Sequence, residues 1–164
     1  MSKPVFRIFL LAAALALPSV SRAEVVRPAP DFVWLASGAK GKSLKSLRGQ
    51  PVVLIVAESP RQRIFRAQVG QLKKVYQLLG NDKMVAVAAF TREPGVIRSN
   101  IPFVLAADPA SVSSLYGVQG NFAVFVIGKD GNIDALSDRV LPGQRIIDII
   151  NNSFVVQRDN RKSE

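Results

Sequence analysis

Hydrophobic positions concentrate in three dense runs, residues 52–57, 84–90 and 122–127, each too short for a helix and built from β-branched, aromatic or small apolar residues. Runs of this length predict strands buried on both faces of a sheet. Between the first two, Ile64, Phe65, Val69, Leu72, Val75, Tyr76 and Leu79 recur at helical spacing, and Gly80-Asn81 ends the pattern. Strand, helix and strand together predict a right-handed parallel crossover unit. Ser59-Pro60-Arg61-Gln62 fits a capping box at the helix start. Ser59 would accept from the N3 amide, Gln62 would reach back, and Pro60 at N1 would lose no needed N–H.

The flanking pattern is weaker. After an extended Pro-rich lead over 25–30, residues 31–35 are expected to pair as a short edge strand and 37–41 to turn. Residues 43–47 predict a turn or helical hook closed by Gly49. Residues 91–102 read as a loop with one helical turn after Pro94, 103–105 as a short strand, and Asp108-Pro109 as the opening of another helical turn. Lys129-Asp130-Gly131-Asn132 predicts a hairpin leading into a strand over 133–136. Pro142 starts a last helix whose Ile146, Ile147, Ile149, Ile150 and Phe154 face inward. The order predicts an α/β, thioredoxin-like three-layer sandwich, a mixed central sheet with helices on both faces.

Composition adds the boundaries. With 164 residues, 48% hydrophobic and 21% charged, the chain suits one packed domain. Lys3 and Arg7, the apolar run 8–17 and Ser21-Arg22-Ala23 have the form of a signal peptide cleaved after Ala23. The run is shorter than the roughly 20 residues that span a bilayer, and Pro18 interrupts its end. The expected organisation is a signal peptide over 1–23, the domain over 24–157 and a basic disordered tail over 158–164. The mature chain is expected to be exported, periplasmic or secreted, without a transmembrane segment. No lipid-attachment cysteine is present.

Charge and missing residue types narrow the chemistry. The chain has no cysteine and no histidine, so no metal and no cofactor is expected. Its net charge of +10 becomes +7 without the leader, which favours an acidic protein or another anionic envelope component as partner. Nucleic acid is not expected, because no aromatic-basic stacking pattern occurs.

Five pieces carry a likeness in unbroken order: Ala29-Pro30-Asp31-Phe32, LKSLRGQPVV over 44–53, Ala107-Asp108-Pro109, Leu115-Tyr116-Gly117-Val118, and VIGKDGNI over 126–133. They resemble the peroxiredoxin family of alkyl hydroperoxide reductase and thiol-specific antioxidant type, and the related exported thiol-disulfide reductases, over about residues 28–155. The resemblance implies a thioredoxin-like fold and thiol chemistry, with the reactive cysteine in the loop after the first buried strand, at a helix N-terminus that stabilises a thiolate. The matching loop here is ESPRQRI, residues 58–64, which contains no thiol. The resemblance also implies a cis-proline before the strand facing that loop. Phe122 stands at the matching position and is expected to pack into the core. The likeness therefore implies a degenerate member without the redox centre.

The remaining candidates are residues of the loop and its helix. Ser59 as a nucleophile would need a base, and only Glu58 adjoins it, so Ser59, Pro60 and Gln62 are read as structural. Arg61, Arg63 and Arg66 crowd the first helical turns, where the dipole disfavours positive charge; either they form an anion site or they point into water. Arg63 and Arg66, three apart, are expected to share a face. Trp34, Tyr76 and Tyr116 are expected to be buried rather than to stack on a ligand, and Asp108, Asp130 and Asp134 to serve turns and hairpins. Three functions are expected as alternatives: a non-catalytic binding protein, an antioxidant or thiol-disulfide oxidoreductase enzyme of peroxiredoxin type as the resemblance implies, which would need a cysteine-free mechanism, and a small-anion carrier at the helix N-terminus. The three arginines converging on one concave, amide-lined spot would favour the carrier, and arginines splayed into solvent beside an apolar patch a protein partner.

Overall fold

The computed structural model describes residues 27–36, 39–80 and 84–153. The leader over 1–23, the tail over 158–164, Phe154 and Asn81 lie outside the described residues. In chain order the elements are β1 (Arg27–Pro28), β2 (Val33–Ala36), β3 (Ala39–Ser43), a 3-10 turn (Leu44–Leu47), β4 (Val52–Ala57), α1 (Arg63–Leu79), β5 (Val85–Phe90), β6 (Phe103–Leu105), α2 (Pro109–Leu115), β7 (Phe122–Ile127), β8 (Asn132–Ser137) and α3 (Gly143–Asn151).

Six strands form one mixed sheet in the order β1-β8-β7-β4-β5-β6. β4 is parallel to β5 and antiparallel to β7, so the apolar run of 52–57 is flanked on both sides and buried throughout. Alternation along the strands separates two core layers. Val53, Ile55, Ala86, Ala88, Val124 and Val126 face the layer shared with α1 and α3. Val52, Leu54, Val56, Val87, Phe125 and Ile127 face the other, with Val112 of α2, Leu44, Phe32 and Trp34. Helices thus cover both faces of a mixed sheet, as the sequence predicts for a thioredoxin-like sandwich.

The apolar face of α1 contains one polar residue that periodicity passes over. Gln68 is fully buried, yet its side chain donates to the Leu141 carbonyl at 3.0 Å and accepts from the Leu141 amide at 2.7 Å. A two-way bond of this kind satisfies the buried amide and fixes the segment leading into α3. Tyr116 plays the comparable part on the opposite face. Its hydroxyl donates to the Pro30 carbonyl at 2.9 Å while its ring packs edge-on against Phe125 and Phe32. Burial pushes its pKa well above the usual tyrosine range, the Asp31 charge adds to the rise and Arg27 opposes it. Trp34 is buried in the same layer and Tyr76 is half-buried against the other, so the three rings form no common stack.

Several sequence expectations need correction. Residues 39–41 belong to β3, which pairs with β2 as a separate ribbon, and Trp34 bridges to Ala106 beside β6. No helical turn follows Pro94. The amides of Arg92 and Glu93 bond to the Glu58 carbonyl at 3.1 and 2.9 Å, which holds the start of the segment at the end of β4, and the residues after it have no regular secondary structure. Asp108 caps α2 by accepting from the Ser111 amide at 3.0 Å, and Asp130 accepts from the Asn132 amide at 3.0 Å next to Gly131, whose φ of 82° suits a residue without Cβ. Asp134, by contrast, is a buried residue of β8 and not a turn residue.

Candidate functional site

The carboxyl end of β4 is where the matching redox site would lie, and the local folding there departs from the capping box. α1 begins at Arg63, with Gln62 as its N-cap and no side-chain cap bond. Gln62 does reach back, but past Ser59: its Oε1 accepts from the Glu58 amide at 2.9 Å, and its Nε2 donates to the Asn121 carbonyl at 3.2 Å. The Gln62 amide donates to the Ser59 carbonyl at 3.2 Å. Residues 59–62 are therefore a turn stapled by Gln62 to the lead-in of β7, which delays the helix by one turn. Pro60 sits in that turn and not at N1, and the Ser59 hydroxyl makes no hydrogen bond among the described residues.

Nucleophilic chemistry finds no support in this turn. Glu58, the acid beside Ser59, pairs with Arg92 at 3.1 Å from its Nε. Phe122 lies opposite Ala57, is buried and has a trans peptide bond, so it fills the core where the resemblance implies a proline-shaped groove. Among the described residues, no three carboxylates gather as a metal site would need.

A different concavity lies beside this end of α1. The irregular segment 92–98 stands off the helix, anchored by the Glu58 bonds and by Gly95, where a Cβ would come within 2.8 Å of the Pro60 ring. Between the two runs an open groove of about 1060 Å³. Arg61, Arg66 and Lys73 line its helix side and Arg92 and Arg98 its loop side, against one acidic lining residue, Glu93. Phe65, Val69 and Ile97 supply apolar lining. Val96, also in the lining, is 86% exposed.

The three sequence-selected arginines are therefore divided. Arg61 and Arg66 line the groove, whereas Arg63, expected to share a face with Arg66, is exposed outside it. Because the helix starts only at Arg63, Arg61 belongs to the turn and is carried back toward the groove. Lys73 is detectable in the sequence as the residue two turns after Arg66 on the same face. Arg92 and Arg98 are not, since the loop that brings them across has no periodic pattern. Among the described residues, no carboxylate pairs with Arg61, Arg66, Lys73 or Arg98.

No protein-family model matches the chain, and no curated protein matches it. Solved structures do. A thiol:disulfide interchange protein DsbE from Chlorobium tepidum superposes with a TM-score of 0.61 at 18% identity, covering 76% of this chain and 96% of that one. The thioredoxin domain of a thiol-disulfide oxidoreductase from Bacteroides vulgatus gives 0.59 at 17% identity, covering 76% and 94%. A 2-Cys peroxiredoxin from Plasmodium vivax gives 0.59 at 18% identity, covering 84% and 99%. Structural likeness at such low identity carries architecture and leaves activity to the chain's own residues. The chain has a thioredoxin-like fold, similar to that of thiol-disulfide oxidoreductases and peroxiredoxins, and contains no cysteine.

Proposed function

We propose that this is an exported, non-catalytic thioredoxin-fold protein that binds an acidic protein or another anionic component of the cell envelope in the groove between α1 and residues 92–98. The observation that supports this reading is the charge of the lining: Arg61, Arg66, Lys73 and Arg98, with Arg92 already paired to Glu58, against the single acidic lining residue Glu93 around a partly apolar concavity. Like charges gathered along one groove raise its positive potential, and an anionic occupant is drawn to it. Export rests on the leader-like residues 1–23. The redox alternative rests on the company the fold keeps, and would require a thiolate that the chain cannot form.

The test is a titration with soluble poly-glutamate. Replacing Arg61 and Arg66 together by Gln should weaken binding about tenfold at low salt, the combined scale of two partly exposed charge contacts, and should flatten the salt dependence. The same change at Arg63 should do little. Unchanged affinity and salt response in the double variant would remove the groove as the site.

A further inference from the structure

The groove floor contains a residue that the fold itself does not explain. Gly70 lies in the middle of α1, one turn after Arg66 and one turn before Lys73, and lines the groove with them. Glycine inside a helix is unfavourable relative to alanine, because it gives up more backbone freedom on folding. Two reasons that usually justify it are absent. Its φ is not positive, and a Cβ built on it would meet nothing within 4 Å, so no neighbouring element presses on it. The empty space over Gly70 opens into the groove.

The cations around it are strung out rather than converged. Arg66 and Lys73 are two helical turns apart, about 10 Å along the axis, with Gly70 between them. Arg61 extends the row past the helix start and Arg98 faces it from the loop. One small anion reaches only part of such a row. A chain with carboxylates at intervals reaches all of it, and Ile97 and the exposed Val96 offer apolar surface on the loop side.

We infer that the occupant is an extended acidic peptide segment of a partner protein, lying along α1 with its backbone crossing directly over Gly70. This rests on the functional reading above and specifies the partner chemistry at the same groove. A close backbone crossing needs the missing Cβ, as it does wherever two main chains meet at a glycine. Because successive side chains of an extended segment point to opposite faces, acidic side chains turned toward the α1 cations alternate with apolar ones turned toward the loop side.

The probe is an acetylated peptide of about six residues alternating glutamate and valine, about 20 Å when extended. It is titrated into the full mature chain, the Gly70→Ala variant and the Arg61→Gln/Arg66→Gln variant, with inorganic phosphate and phosphatidylglycerol vesicles in parallel. Gly70→Ala should melt higher than the parent yet bind the peptide about tenfold more weakly, the scale of a methyl forced into a packed contact. Phosphate should bind more weakly than the peptide and be indifferent to Gly70→Ala. A variant that melts higher and binds the peptide as tightly as the parent overturns the crossing over Gly70, while the groove reading survives if the arginine variant still weakens the peptide. A variant that melts lower overturns the premise that the space is free. Vesicle binding without peptide binding replaces a peptide by a lipid surface, and indifference of every probe to the arginine variant removes the groove reading itself.

Discussion

No turnover of hydroperoxide or of protein disulfide is expected from the purified protein when thioredoxin or glutathione is supplied. Both reactions begin with attack by a thiolate, and the chain has none to offer. A hydroxyl substitute at the same turn would need a base to remove its proton. Glu58 adjoins Ser59 but is paired with Arg92, and histidine is absent. Turnover above a protein-free blank that persists through repurification and scales with protein would show a chemistry that the described residues do not contain.

A second large effect is expected at Phe65, which joins the groove to the core. Its side chain is 1% exposed, with its ring 5.0 Å from Phe90 in an edge-on contact and 6.2 Å from Phe103. Phe65→Ala should cost about 3–5 kcal/mol, the range for removing a buried aromatic ring when its surroundings collapse only in part. That is a large share of the roughly 5–15 kcal/mol by which a domain of this size is stable. The urea midpoint should fall accordingly with an unchanged slope. A loss below about 1 kcal/mol would mean that the first turn of α1 does not pack on β5 and β6 as described.

Most of the fold is legible in the sequence because its core elements carry strong periodic patterns. The runs of β4, β5 and β7 and the apolar stripe of α1 leave little choice of element, and turn chemistry at Asp130-Gly131 and Asp108-Pro109 fixes two connections. The failures occur where long-range bonds override local ones. Ser59-Pro60-Arg61-Gln62 has the letters of a capping box, but Gln62 gains partners at Glu58 and Asn121, and Asn121 is distant in sequence. Residues after Pro94 give up a helical turn because the Arg92 and Glu93 amides have the Glu58 carbonyl within reach. Gln68 and Asp134 are polar letters whose burial follows from packing rather than pattern.

The site was half-legible for the same reason. Arg61 and Arg66 stand out locally as positive charges where the helix dipole disfavours them. Their companions Arg92 and Arg98 come from a connection between strands, and only the folded chain places them opposite α1. Arg63 has the same local signature as its neighbours yet lies outside the groove lining, and Arg61 is part of the lining from the turn before α1, a placement that follows from the helix starting only at Arg63.

The most direct test of the account is to map an acidic ligand onto the protein by amide chemical shifts. The nitrogen-labelled protein is titrated with the glutamate-valine peptide at low salt. The expected result is a contiguous set of shifted amides over 61–73 and 92–98, saturating together and receding as salt is added. Shifts centred elsewhere, on the Leu136 edge of β8 or on the exposed side of α2, with the groove amides unmoved, would contradict it.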